Sequence, residues 1–211
     1  MGRRNNVCQE KHTPISPRKN AIRRDMLKKV RRSLDAITIS HGALDMFMAL
    51  KWQGQVQTCD IDPGVRLAIE YLRKGDKGKE GDYPDFNLPA PGKSIQETVS
   101  KYCAAYGAEH LGIVDVDLAV GILPGWKILS SVLDTLTQYK YRGRTFLTFR
   151  NGRDGFGRNS LKDRIDWLRK QLPKGVKLSS FTPYQSVRLD PNALRSIGSN
   201  MCIVELKHSS K

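Results

Sequence analysis

Apolar positions along the chain fall into two kinds of block, which alternate. Short runs of β-branched and large aliphatic residues predict strands at Ala36–Ser40, Gln55–Cys59, His110–Asp115, Thr145–Arg150, Lys177–Phe181 and Met201–Lys207. Longer stretches, in which apolar residues return every three or four positions, predict helices over Arg18–Leu34, Val65–Arg73, Ser94–Tyr106, Trp126–Tyr139 and Leu161–Leu172. A shorter apolar helical segment carries Leu44, Phe47 and Met48. Ser94 followed by Glu97 has the spacing of a capping box, and Pro63 suits a first helical turn. His110–Asp115 is a continuous apolar run, the mark of a parallel strand covered on both faces. Residues 74–92, rich in Gly, Pro and charge, read as loop. No internal repeat is visible. The order predicts an α/β, Rossmann-like fold: a mostly parallel sheet with helices on both faces. Its last two strands follow one another without a helix, so the final strand is antiparallel.

The opening block, Ile37–Arg66, has the order strand, turn, helix, strand, and it closes on an acid. That is the first half of a nucleotide-binding βαβ unit. From Ser40 to Asp60 is the spacing, about 20 residues, at which such units hydrogen-bond a ribose hydroxyl. The turn offers one glycine, Gly42, where the usual fingerprint has three. An ordinary crossover with a solvated acid fits the same spacing.

Composition narrows the picture. At 211 residues the chain suits one α/β domain with an extension. No apolar run reaches membrane-spanning length and the N-terminus lacks an apolar signal core, so a cytoplasmic location without membrane contact is expected. Cys8, Cys59, Cys103 and Cys202 form no CxxC pair and read as reduced thiols, with no metal site. The net charge of +15 and a pI near 9.9 favour polyanionic partners. Residues 1–34 hold eleven Lys or Arg against Glu10 and Asp25, a local net of +9. The chain therefore divides into a basic arm and helix, 1–34, and a domain, 35–211. In that helix Ile22, Met26, Leu27 and Val30 share a face, while Arg23, Arg24, Lys28, Lys29, Arg31 and Arg32 are expected to meet nucleic-acid phosphates. A solvated helix packed on the sheet edge is the competing reading. Arg153 and Arg158, set among Gly152, Gly155 and Gly157, form a second candidate phosphate clamp.

Three segments carry a family likeness: Thr58–Pro63, with Asp60 at a strand end; Val116-Asp117-Leu118-Ala119; and Thr145–Phe156. Together with the strand order they resemble the class I S-adenosylmethionine-dependent methyltransferases, nearest in detail to the ribosomal-RNA and viral-cap ribose methyltransferases. The resemblance implies S-adenosylmethionine as cofactor, held by Ser40, His41, Gly42, Asp45, Asp60, Ile61 and Asp115. It implies a nucleic-acid substrate, RNA before DNA, and a catalytic Lys, Asp, Lys, Glu tetrad. Asp117 matches the aspartate, and Lys28 or Lys29 is placed to supply the first lysine. The second lysine falls near Thr148, with Arg150 on the same face, and the glutamate falls at Asn200, with Glu205 further along. Arginine stays charged at neutral pH and cannot act as a base. The loop after the acids has no proline pair for amino-group methylation and no cysteine for C5 methylation. A catalytically inactive nucleic-acid-binding protein on the same fold is the alternative.

Overall fold

A computed structural model describes residues 17–39, 50–58, 94–118, 120–152, 160–189 and 196–209. Helix α1 spans Pro17–Leu27, followed by β1 (Asp35–Thr38), β2 (Val56–Thr58) and α2 (Ile95–Tyr106). A 3-10 turn, Ala108–His110, leads into β3 (Leu111–Asp117), and α3 (Ile122–Gln138), β4 (Arg144–Arg150) and α4 (Leu161–Gln171) come next. The hairpin of β5 (Val176–Leu189) and β6 (Ser196–His208) closes the fold. Six strands form one sheet in the order β2-β1-β3-β4-β6-β5. The neighbours from β2 to β4 are parallel, while β6 runs antiparallel to both β4 and β5. This is the Rossmann-like sheet expected from the block pattern.

Several elements differ in length from their predicted bounds, each for a local reason. Helix α3 begins a turn before Trp126 because Pro124 sits in its first turn, where a missing N–H leaves no bond unmade. Ser94 caps α2 by accepting from the Glu97 N–H at 3.1 Å, and the Glu97 carboxylate pairs with Lys101 one turn on. Ser160 and Asp163 form a reciprocal capping box at α4. Strand β5 runs through Pro183, which opposes Cys202 of β6. As the outermost strand of the sheet, β5 can spare that donor. The predicted helix over Val65–Arg73 and the loop 74–92 lie outside the described residues.

The two faces of the sheet are packed differently. On one, Ile37, Val114, Val116, Leu147, Phe149, Val204 and Leu206 meet Val99, Tyr102, Leu129, Leu133, Leu136 and Leu168 from α2, α3 and α4. A fully buried leucine such as Leu133 contributes about 2 kcal/mol from surface removed from water. On the other face, Ala36, Val56, Ile113, Phe146 and Ile203 meet Met26 and Leu27 of α1, with Trp52 and Tyr184. Helix α1 is thus built into the core. Cys103 and Cys202 are buried free thiols, as expected. Among the described residues no helix is long and apolar enough to cross a membrane, and no metal-ligating cluster occurs.

Candidate active site

The order of the strands reverses between β1 and β3, since β1 leads outward to β2 and β3 leads away to β4. In open α/β sheets the ligand crevice lies beyond the carboxyl ends of the strands at such a switch point. Alternation along β3 sends Ile113, Asp115 and Asp117 to the α1 face, and Asp115 and Asp117 stand at its carboxyl end. The register sets Thr38 of β1 opposite Asp115 and Thr148 of β4 opposite Asp117.

Helix α1 lies over these acids and answers them with two cations one turn apart. Arg23 Nη2 donates to Asp115 Oδ1 at 3.1 Å and to Thr148 Oγ1 at 3.2 Å, and it sits 3.4 Å from Asp117 Oδ2. Lys19 Nζ donates to Asp117 Oδ2. Thr38 Oγ1 donates to Asp115 Oδ2 at 2.9 Å. Two cations therefore face two carboxylates in a site where Arg23 is fully buried and Asp117 keeps 17 % of its side-chain surface. Buried charge is tolerated only when paired in this way. Among the described residues three buried donors nevertheless have no acceptor: Arg23 Nε, Arg23 Nη1 and the Tyr184 hydroxyl. Such groups call for an additional oxygen, from water or from a ligand.

The environment separates the two carboxylates. Burial pushes Asp115 above the usual carboxylate range, with Arg23 opposing and the neighbouring Asp117 charge adding to the rise. For Asp117 burial acts in the same sense, but Arg23 and Lys19 together outweigh it and hold the group low. Lys19 lies below an ordinary lysine because burial and the Arg23 charge both disfavour its ammonium, against the pull of Asp117. Tyr184 is raised, chiefly by burial and then by Asp117. Neighbouring groups with pKa values driven apart are the material of acid–base chemistry.

The residues expected from sequence divide between this site and other places. Asp115 and Asp117 stand in it. Arg23, expected among the phosphate-facing cations, is a buried partner of both acids. Lys28, expected to supply the first lysine, points to solvent and pairs with Asp25 at 3.0 Å. Lys29 lies 3.8 Å from Glu205. Lys19, which no motif singled out, is the lysine at Asp117. The signal was present in the helical period: at 100° per residue Lys19 and Arg23 fall within the stripe of Ile22, Met26, Leu27 and Val30. Arg150 ends β4, exposed, opposite Met201. Asn200 opposes Gln185, and its carbonyl accepts from the Asn151 N–H at 2.7 Å. Arg24, Arg31 and Arg32 are exposed. Trp126 packs edge-on against Trp167, and Tyr184 is buried against the α1 face. Ser40, His41, Gly42, Asp45, Asp60, Ile61, Arg153 and Arg158 lie outside the described residues. An open cleft of about 410 Å³ lined by Asp35, Gln55, Ala105, Tyr106 and His110 sits at the amino ends of β1 and β3. It is at the opposite end of the sheet from the acids and is not the crevice.

No protein-family model matches the chain, and no curated protein matches its sequence. Solved structures do match its fold. A SAM-dependent methyltransferase from Anabaena variabilis superposes with a TM-score of 0.54 at 12% identity, over 97% of this chain and 91% of that one. A structure described under conversion of a disulfide bond into a thioacetal group during echinomycin biosynthesis gives 0.57 at 13%, over 92% and 83%. Precorrin 8w decarboxylase from Methanobacterium thermoautotrophicum gives 0.50 at 13%, over 91% and 90%. At these identities the likeness establishes architecture, and the architecture of this chain is the Rossmann-like fold on which SAM-dependent methyltransferases are built.

Proposed function

We propose that this chain is an S-adenosylmethionine-dependent methyltransferase acting on nucleic acid, RNA before DNA. The observation that carries the reading is the four-charge cluster of Lys19, Arg23, Asp115 and Asp117 at the carboxyl end of the switch-point strand. The donor set suits the cofactor's amino-acid end. The unpartnered Arg23 N–H groups match a carboxylate, and Asp115 matches an ammonium. Ser40, His41, Gly42, Asp45, Asp60 and Ile61 remain the candidates for the rest of that molecule. When bound, S-adenosylmethionine supplies a methyl group carried on a sulfonium, which is electrophilic without further activation.

The chain's own residues then have to manage one proton. Lys19, with its pKa lowered by burial and by Arg23, takes the proton from the acceptor hydroxyl or amine as it attacks. Asp117 holds Lys19 in place and stabilises the ammonium that results. Arg23 stands beside Thr148, where the ribose methyltransferases have their second lysine, and serves as a fixed charge. RNA is favoured over DNA by the ribose-methyltransferase likeness, and a nucleic acid of either kind by the exposed cations Arg24, Arg31 and Arg32.

Isothermal titration with S-adenosylmethionine and S-adenosylhomocysteine tests the cofactor assignment, and saturable heat is expected for both. Label from methyl-labelled cofactor should enter RNA and cease to do so in Asp117→Asn; no heat and no thermal shift at millimolar ligand would sink the enzyme reading. A second reading has its own observation: Thr148 and Asn200 stand where a lysine and a glutamate are expected, which fits a binding protein without catalysis. That reading predicts salt-sensitive RNA binding with no label transfer.

A further inference from the structure

At the amino end of β4 the same face of the sheet carries a second charged group of opposite character. Arg144 of β4 stands opposite Lys207 of β6, and Lys207 stands opposite Lys177 of β5. Directly opposed residues of antiparallel strands point to one face with Cβ atoms about 5 Å apart. Three cations thus form a row about 10 Å long across three strands. Lys29, just beyond α1, adds a fourth, with 57 % of its side chain exposed. Glu205 is fully buried beneath them and is bonded by Arg144 and, at 2.9 Å, by Ser180. Among the described residues it is the one carboxylate paired with any of the four, so the group keeps a net charge of +3.

Like charges set directly opposite one another are destabilising, and neither Lys177 nor Lys207 is needed for the core. A polyanion laid along the row removes that cost. Among the described residues the exposed large hydrophobics, Tyr106, Val120, Ile128 and Phe181, all lie away from it. A protein interface would want aromatic anchors, and a membrane contact an apolar face. We propose that Lys29, Arg144, Lys177 and Lys207 hold the phosphate backbone of single-stranded RNA, as a second site distinct from the acid cluster. Thr148, the partner of Asp117, is four residues along β4 from Arg144, so the two sites are about 13 Å apart. Helix α1 bridges them, with Lys19 at the acids and Lys29 at the row. The proposal rests on the nucleic-acid reading above and extends it, because an RNA held here would run along α1 towards the acids.

The test is the affinity of the full chain for a labelled oligouridylate across a potassium chloride series. In Lys177→Gln/Lys207→Gln two phosphate contacts are lost, and the slope of log K against log salt should flatten by about 1.4. Lys177→Arg/Lys207→Arg keeps both charges and should keep the slope. A melting curve without RNA accompanies each variant: the arginine variant should melt as the unaltered chain does, and the glutamine variant slightly above it, so that loss of binding is not loss of folding. An unchanged slope in the glutamine variant, with RNA bound normally, overturns this site alone. Failure of the unaltered chain to bind RNA overturns the nucleic-acid reading and this site together. Binding to phosphatidylserine vesicles that the glutamine variant loses, while it keeps RNA binding, overturns the choice of ligand.

Discussion

The two charged groups under and beside α1 solve opposite problems with the same residue types. At the carboxyl end of β3, Lys19 and Arg23 meet Asp115 and Asp117 with no charge left over, and only Lys19 and Asp117 keep a little surface in water. At the amino end of β4, Arg144, Lys177, Lys207 and Lys29 share one carboxylate and remain partly or largely open. Burial enforces the difference. An ion removed from water must find its counter-ion within the protein, whereas an exposed cation is screened and can wait for a partner from solution. Balance therefore holds the acid cluster in one geometry before any ligand arrives, and imbalance leaves the open row to recruit a polyanion.

The comparison breaks most visibly at Arg23. Arg23→Ala leaves Asp115 buried without its cation and should cost about 3–5 kcal/mol, read from urea unfolding. Coupling it with Asp115→Leu removes the orphaned charge, and the double variant should lose less than the single one. Next in size is a titration on the other face of the sheet. His208 is buried against Tyr141, 2.9 Å from Thr145 Oγ1, and burial lowers its pKa to about 4. The unfolded chain takes up that proton near pH 6.5 while the folded one resists it, so the unfolded state binds more protons between pH 6.5 and 4. Stability should then fall as pH falls through this window, by up to about 1.4 kcal/mol per unit, and His208→Gln should remove that component. The smallest effect belongs to the open row. Lys207→Gln without RNA relieves a like-charge contact and should raise stability by a few tenths of a kcal/mol in thermal melts.

What the sequence revealed follows the same boundary between burial and exposure. Strands β1, β3 and β4 were legible because their residues are apolar on both faces, and Asp115 and Asp117 stood out as charges ending such a run. The hairpin of β5 and β6 was underestimated at both ends: its outer positions are polar, and Pro183 reads as a breaker until the strand is known to be outermost. Lys19 was passed over, and Arg23 was read as a phosphate contact, for a different reason. In a helix with so many cations, a position on the apolar stripe looks like one more solvated charge unless its phase is measured against Ile22 and Met26. The row of Arg144, Lys207 and Lys177 could not be read at all, since only strand register brings residues so far apart side by side.

The segment after α1 is fastened where it enters β1. The Arg32 carbonyl accepts from the N–H groups of Gln53 and Gly54 at 3.0 and 2.9 Å, and Trp52 Nε1 donates to the Leu34 carbonyl at 2.8 Å. A Cβ on Gly54 would come within 2.1 Å of that same carbonyl oxygen, so even a methyl group would prise this fastening apart. Helix α1 is thus held on both sides, by Lys19 and Arg23 on the acids of β3 and, through the segment that follows it, by the fastening at Leu34. A side chain at position 54 would loosen the second attachment and leave the first in place.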